Sequence, residues 1–261
     1  MNCDYFKGNH RVNILGVGIS AVNMERALQV MEGWILRGEK QYVCVANVHS
    51  VMESQRDQAL LRIMNRSGLS TPDGMPLVWL CRRAGHRQVS RVYGPDLLLA
   101  FSDLAARAGY RFFFYGGSEG VAEELAERLR NRFPGLNVAG TYSPPFRKLT
   151  TGEKADVVAM INDSRADVVW VGLGAPKQER WMAEYRLLLK APVLVGVGAA
   201  FDFHAGRIKQ APSWMQRCGL EWFFRLIQEP KRLWRRYLFF NPLFALLVLL
   251  QAVRITNYAD Y

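Results

Sequence analysis

A chain of 261 residues, half of them hydrophobic and without a long low-complexity stretch, can bury a full core, which excludes a disordered or fibrous protein. Its length suits one α/β domain with an appendage, or two small domains. The formal net charge of +11 favours an anionic partner: nucleic acid, anionic lipid or a phosphorylated substrate.

Residues Met1–Arg11 are polar and lack the apolar core of a secretory leader, so the chain is expected to stay on the cytoplasmic side. Val12–Val17 reads as a first strand. Asn23 can cap a helix whose apolar face carries Ala27, Val30, Met31, Trp34 and Ile35, closed by Gly38. Tyr42–Ala46 is a second strand, exiting through the polar Asn47-Val48-His49-Ser50. Ala59–Asn65 is helical, and Leu69–Thr71 leads into the turn Pro72-Asp73-Gly74 before a helix over Met75–Arg83. Proline biases the residue before it away from helix and glycine permits a tight turn, so Asp73 sits between a strand end and a helix N-terminus. In an open α/β sheet ligands bind at such a place. Capping the helix is the commoner task for an Asp there, and both readings stay open.

Gly94-Pro95-Asp96 opens another helix, with Arg91 just upstream. Arg111–Tyr115, almost continuously aromatic, reads as a strand buried on both faces. Gly116-Gly117-Ser118-Glu119-Gly120 follows, then a helix to Arg132. A glycine turn can bring N–H groups to a phosphate, but glycines also make ordinary turns. Asn137–Thr141 is a strand, Gly152–Asn162 a helix and Asp167–Gly172 a buried strand. Its exit, Gly172-Leu173-Gly174-Ala175-Pro176-Lys177-Gln178-Glu179, begins another helix. Val193–Val197 is a last strand, exiting through Gly198-Ala199-Ala200-Phe201-Asp202. Alternating strands and helices predict a Rossmann-like, predominantly parallel sheet with helices on both faces, over residues 1–205.

Residues 206–261 read as a C-terminal basic amphipathic helical appendage. Between His204 and Arg254 nine basic side chains stand against two acidic ones, a net of +7. Leu220, Phe223, Phe224 and Ile227 recur at helical spacing, and Leu233, Trp234, Tyr237 and Leu238 continue the stripe beyond Pro230, opposite Arg225, Arg232, Arg235 and Arg236. Basic residues facing aromatic and leucine residues suit a helix in a membrane interface; a helix packed on the domain is the alternative. Leu243–Leu250, after Asn241-Pro242, falls short of the ~20 apolar residues of a spanning helix.

No chemistry of a metal is expected. Cys3, Cys44, Cys81 and Cys218 are too scattered for a zinc or redox pair, His10, His49, His86 and His204 lack ligand spacing, and there is no Asp-x-Asp pair. No cofactor is expected either: Gly16-Val17-Gly18-Ile19-Ser20-Ala21 lacks the third glycine of a dinucleotide fingerprint, and no P-loop is present. A metal-free nucleotide-sugar transferase needs cationic groups and helix N-termini for the leaving diphosphate, and one carboxylate to take the acceptor's proton. Asp73 fits the latter role and the C-terminal arginines the former.

The motifs Thr71-Pro72-Asp73-Gly74-Met75-Pro76, Arg91-Val92-Tyr93-Gly94-Pro95-Asp96, Gly172–Glu179, Gly196–Asp202 and Leu220-Glu221-Trp222 through Arg236-Tyr237-Leu238 resemble the WecG/TagA/CpsF family of bacterial glycosyltransferases (glycosyltransferase family 26), from about Ile14 to Leu238. The resemblance implies an inverting, metal-independent transfer of a hexose or N-acetylhexosamine-type sugar (N-acetylmannosamine, its uronic acid, or glucose). The donor is a UDP-sugar and the acceptor an undecaprenyl-diphosphate-linked sugar, in cell-surface polysaccharide or teichoic-acid assembly. It places the protein at the cytoplasmic face of the plasma membrane, peripheral or monotopic, and leaves a homo-oligomer open. By the match Asp73 is the general base. Asn47, Thr71, Arg91, Gly116, Gly117, Gly172, Gly174, Pro176, Gln178, Glu179 and Asp202 belong to the substrate pocket, and Arg225, Arg232 and Arg235 to the appendage that closes it. Val45 departs from the pattern, in which a hydroxyl residue often stands two positions before the Asn. The alternative reading is a basic membrane-bound or nucleic-acid-binding non-enzymatic protein. Against it, the arginines follow an amphipathic stripe and no nucleic-acid module is visible, so no nucleic-acid partner is expected.

Overall fold

The computed structural model describes residues 10–253, apart from the side chains of Arg232, Arg235 and Arg236. Cys3 and Arg254 lie outside the described residues. In chain order the elements are β1 (Arg11–Ile14), β2 (Val17–Ser20), α1 (Met24–Arg37), β3 (Gln41–Ala46), α2 (Val48–Arg56), α3 (Gln58–Arg66), β4 (Leu69–Pro72), α4 (Met75–Arg83), α5 (Gly94–Ala108), β5 (Arg111–Gly116), α6 (Val121–Arg132) and β6 (Asn137–Tyr142). They continue as α7 (Thr151–Asp163), β7 (Val168–Gly172), α8 (Lys177–Tyr185), β8 (Val193–Gly196), α9 (Ala200–His204), α10 (Ser213–Arg217), α11 (Glu221–Gln228) and α12 (Pro230–Ala252).

Six strands form one sheet in the order β4-β3-β8-β7-β5-β6. The β3·β8, β8·β7, β7·β5 and β5·β6 ladders are parallel, as helical crossovers require. The protein is thus α/β, with a mostly parallel sheet flanked by helices.

The chain divides into two compact units: one comprises residues up to Met24, Ala46–Tyr93 and the chain from Gln210 onward, the other Glu25–Val45 with Gly94–Lys209. The second unit holds the aromatic core. Phe112, Phe113, Phe114 and Tyr115 of β5 are all buried, because a central parallel strand presents neither face to water. Phe112 meets Trp170 edge to face at 5.5 Å, and Phe114 meets Phe201 at 5.7 Å.

In the first unit the segment predicted as one strand, Val12–Val17, is instead an antiparallel hairpin, β1–β2. Leu15 (φ 51°) and Gly16 (φ 82°) both take the left-handed region that a two-residue hairpin turn needs, and the Asn13 side chain accepts the Gly16 N–H at 2.8 Å. Gly18 therefore lies within a strand, not in a nucleotide loop. Asn47-Val48-His49-Ser50, predicted as a strand exit, also starts a helix. Asn47 and Ser50 form a reciprocal capping box, with Ser50 N–H to Asn47 Oδ1 at 3.2 Å and Asn47 N–H to Ser50 Oγ at 2.9 Å.

The C-terminal chain does not break at Asn241-Pro242: α12 continues through Pro242. Leu233, Tyr237, Phe240 and Phe244 form its buried stripe. Phe240 stacks on His49 of α2 at 5.6 Å and lies 5.0 Å from the Arg56 guanidinium. Gln251 fastens the far end to the hairpin: its Oε1 accepts the Leu15 N–H at 3.0 Å and its Nε2 donates to the Asn13 carbonyl at 3.1 Å. The stripe predicted from Leu233, Trp234, Tyr237 and Leu238 splits, since Trp234 and Leu238 face outward with Phe239, Leu243, Leu246, Leu249 and Val253. Among the described residues no helix is long and apolar enough to cross a membrane.

Candidate active site

Asp73 follows directly on β4. Its N–H donates to the Ala46 carbonyl at 2.8 Å, and the Val92 N–H donates to the Pro72 carbonyl at 2.9 Å, so the turn is pinned on both sides. The cap of α4 is Gly74, whose position makes no side-chain capping bond. The Asp73 carboxylate is thus not engaged in capping, and the commoner reading of its position does not hold.

The carboxylate retains 15% of its accessible surface. Oδ2 accepts from Asn47 Nδ2 at 3.4 Å, whereas Oδ1 accepts no hydrogen bond among the described residues and lies 3.7 Å from Arg91 Nη2. Burial pushes the Asp73 pKa up to about 6, from an ordinary 3.8. Arg91 opposes that rise, the nearby Glu221 carboxylate adds to it, and Asn47 and Arg225 oppose it further.

Arg91 is the hub of this cluster. Its Nε donates to the Asp73 backbone carbonyl, Nη1 to Gln216 Oε1 at 3.4 Å, and Nη2 forms an ion pair with Glu221 Oε2. The guanidinium stacks over the Tyr93 ring, 3.9 Å from its centroid. Tyr93 OH donates to Glu221 Oε1 at 2.7 Å, and burial first, then the two carboxylates, push its pKa well up. Burial disfavours the Arg91 charge, but Asp73 and Glu221 outweigh it and hold the guanidinium cationic. Two carboxylates around one half-buried guanidinium leave an acid, Asp73, whose pKa is raised to about 6, an arrangement suited to moving a proton.

Of the residues predicted for the site, Asn47, Asp73 and Arg91 therefore meet directly. Arg225, one turn along α11 from Glu221, contributes to the field at Asp73. Thr71 is wholly buried on β4, and its Oγ1 has no hydrogen-bond partner among the described residues. Arg232 and Arg235 lie on α12, with their side chains outside the described residues. Tyr93, Gln216 and Glu221 were not predicted, although Tyr93 and Glu221 fall inside motifs already singled out.

The remaining predicted residues lie in the second unit. Gly116 and Gly172 end the adjacent strands β5 and β7, and a Cβ on Gly116 would fall 2.6 Å from the Gly172 carbonyl carbon. The Gly117 N–H donates to the Gly172 carbonyl at 3.0 Å. After β7, Gly174 takes φ 75°, and Pro176 precedes α8. Gln178 and Glu179 are buried in the first turn of α8, with Gln178 Nε2 donating to Glu179 Oε1 at 3.0 Å. Gln178 Oε1 is buried with no hydrogen-bond partner among the described residues, and lies 3.4 Å from where a Cβ on Gly198 would be. Asp202 sits on α9, its carbonyl accepting the Arg207 N–H at 2.9 Å.

A sequence model of the Glycosyl transferase WecG/TagA/CpsF family matches residues 12–258, nearly the whole chain. The chain belongs to this family. Among curated proteins, this glycosyltransferase is 35% identical over 197 residues to an N-acetylglucosaminyldiphosphoundecaprenol N-acetyl-β-D-mannosaminyltransferase of Bacillus spizizenii strain W23. That match covers 76% of this chain and 74% of the relative. A protein of the same name from Bacillus subtilis strain 168 is 32% identical over 207 residues, covering 79% of this chain and 78% of the relative. The matched region of the family includes the Asp73 turn, the Arg91 segment and the helices α11 and α12.

Proposed function

We propose that this glycosyltransferase moves an N-acetylmannosamine-type sugar from a UDP-sugar to a polyprenyl-diphosphate-linked N-acetylglucosamine, with inversion and without a metal ion. The named relatives act on an acceptor of that kind, which supports the lipid-linked substrate. The observation that carries the reading is the Asp73 carboxylate, buried at a strand exit, titrating at about 6 and free of capping duty. Inverting transfer in one displacement needs a base for the acceptor hydroxyl, and Asp73 is poised to remove that proton. Arg225, Arg232 and Arg235 supply positive charge for the leaving diphosphate, a task that a metal ion performs in other transferases. Thr71, Gly116, Gly117, Gly172, Gly174, Pro176, Gln178, Glu179 and Asp202 are assigned to substrate binding.

The outward apolar face of α12 and the basic C-terminal segment support peripheral attachment to an anionic membrane at the cytoplasmic face, where the acceptor's polyprenyl chain is anchored. Residues 206–261 are read as the membrane-associating, site-completing segment and residues 1–205 as the nucleotide-sugar-binding domain.

The test is Asp73→Asn. Transfer should fall by ~10²–10⁴-fold while UDP binding by calorimetry stays within a few fold. Turnover near that of the wild type would remove Asp73 as the base.

A further inference from the structure

Glu221 is a half-buried carboxylate for which the proposed reaction has no assigned role. It retains 14% of its side-chain surface and gives one oxygen to each of two partners, Oε2 to Arg91 Nη2 and Oε1 to the Tyr93 hydroxyl. An acid so placed in a site that must bind an anionic diphosphate is costly unless it orders something else. What it orders is the guanidinium. The Nη2 group forms ion pairs with two carboxylates, a close hydrogen-bonded one with Glu221 and a looser one, at 3.7 Å, with Asp73 Oδ1. Tyr93 locks this choice from two directions, with its ring under the Arg91 guanidinium and its hydroxyl on Glu221.

We infer that Glu221 is a positioning residue: by holding Arg91 Nη2, it keeps the guanidinium from closing onto Asp73 and leaves Asp73 Oδ1 without a hydrogen-bond donor, ready to receive a proton. Arg91 and Asp73 already form an ion pair at 3.7 Å; drawn in to hydrogen-bond distance it would make Asp73 a poorer base, since a carboxylate that accepts a charged hydrogen bond holds a proton weakly. The groups around Asp73 are Asn47 at the N-cap of α2, Arg91 and the neutral Tyr93 hydroxyl from the segment before α5, and Glu221 and Arg225 from α11. Of these Glu221 alone adds negative charge. Because it stands on α11, the readiness of Asp73 depends on the C-terminal segment, 130 residues away in sequence from Arg91.

The inference rests on Asp73 being the base, so its test has a readout that is independent of turnover. The Asp73 carboxyl is titrated by 13C NMR in the full-length wild type, in Glu221→Gln and in Tyr93→Phe. In Glu221→Gln the midpoint should move by ~1 unit toward acid, because a negative neighbour is removed and Arg91 is released. The kcat should fall by ~10-fold or more, with KM for the donor changed less than about threefold. Tyr93→Phe keeps every charge and the ring stack, so it should leave the midpoint in place and lower kcat only a few fold. An Asp73 midpoint unmoved in Glu221→Gln overturns the inference, whatever happens to activity. If the Gln variant does not fold, Glu221→Asp serves: it keeps the charge, so its midpoint should stay within about half a unit of the wild type. A larger acid shift there would show that packing, not the charge, sets Asp73. Loss of the base role itself would appear separately, as full activity in Asp73→Asn with the midpoint shift intact.

Discussion

Asp73 titrates near 6 because burial and Glu221 together exceed the pull of Arg91, Asn47 and Arg225. Two consequences have opposite signs. As a base the carboxylate must be ionised, so kcat/KM should fall tenfold per pH unit below about 6 and level off above it. For stability the folded-state pKa lies above the ordinary 3.8. The contribution of this group is therefore fully present below about 3.8 and is lost as pH rises through about 6. Asp73→Asn should accordingly be more stable than the wild type at neutral pH, by on the order of 2–3 kcal/mol, with the difference vanishing near pH 4. Thermal denaturation at the two pH values checks this; equal melting temperatures at neutral pH would mean that the ionised carboxylate is not strained in the fold. The site's central acid was visible in the sequence, because a Pro-Asp-Gly-Met-Pro turn after a strand is locally encoded. Glu221 and Tyr93 were not, since nothing local tells a carboxylate on α11 that its partners lie 130 and 128 residues upstream.

Among the elements, those with a strong local signal were readable. The helix over Met75–Arg83 coincides with its prediction, and the aromatic run of β5 is buried as a central strand should be. The hairpin was missed because its turn puts a buried leucine, Leu15, at positive φ, where glycine or asparagine is the usual sign. The helix after Asn47 was missed because the capping box uses Ser50 in place of the usual Glu or Gln. The continuity of α12 is a tertiary effect: Phe240 and Phe244 on either side of Pro242 are both buried, and that burial outweighs the hydrogen bond that proline removes. Gln251→Ala removes both bonds that tie the end of α12 to the hairpin. It should cost about 1–3 kcal/mol by urea denaturation, the loss of the two hydrogen bonds that Gln251 makes to the Leu15 N–H and the Asn13 carbonyl. Gly116→Ala should cost more, roughly 2–4 kcal/mol, because the new Cβ meets backbone at 2.6 Å and the residue sits at φ 123°. A variant as stable as the wild type would mean that the ends of β5 and β7 can separate at little cost.

At the scale of the whole molecule, two features left over from folding are its charge and the outward apolar face of α12. The formal charge of +11 is concentrated toward the C-terminus, and α12 turns Leu238, Phe239, Leu246 and Leu249 outward while its other side is packed. Those two properties together match an interfacial helix on an anionic bilayer. Substituting Leu246 and Leu249 by Glu leaves the buried stripe intact. The double variant should lose most of its flotation with phosphatidylglycerol-containing vesicles and keep its melting temperature. Undiminished flotation would move the membrane contact elsewhere. The composition pointed to an anionic partner; which apolar side chains of α12 face outward became clear only when the predicted stripe divided between core and surface.

The most direct measurement is UDP release from a panel of UDP-sugars, UDP-N-acetylmannosamine among them, with polyprenyl-diphosphate-linked N-acetylglucosamine as acceptor and EDTA present throughout. Acceptor-dependent release from the N-acetylmannosamine donor, with an inverted anomeric centre in the product, is the predicted result. Release that requires an added divalent cation, or no release from any donor by protein that folds and binds the acceptor, would contradict it.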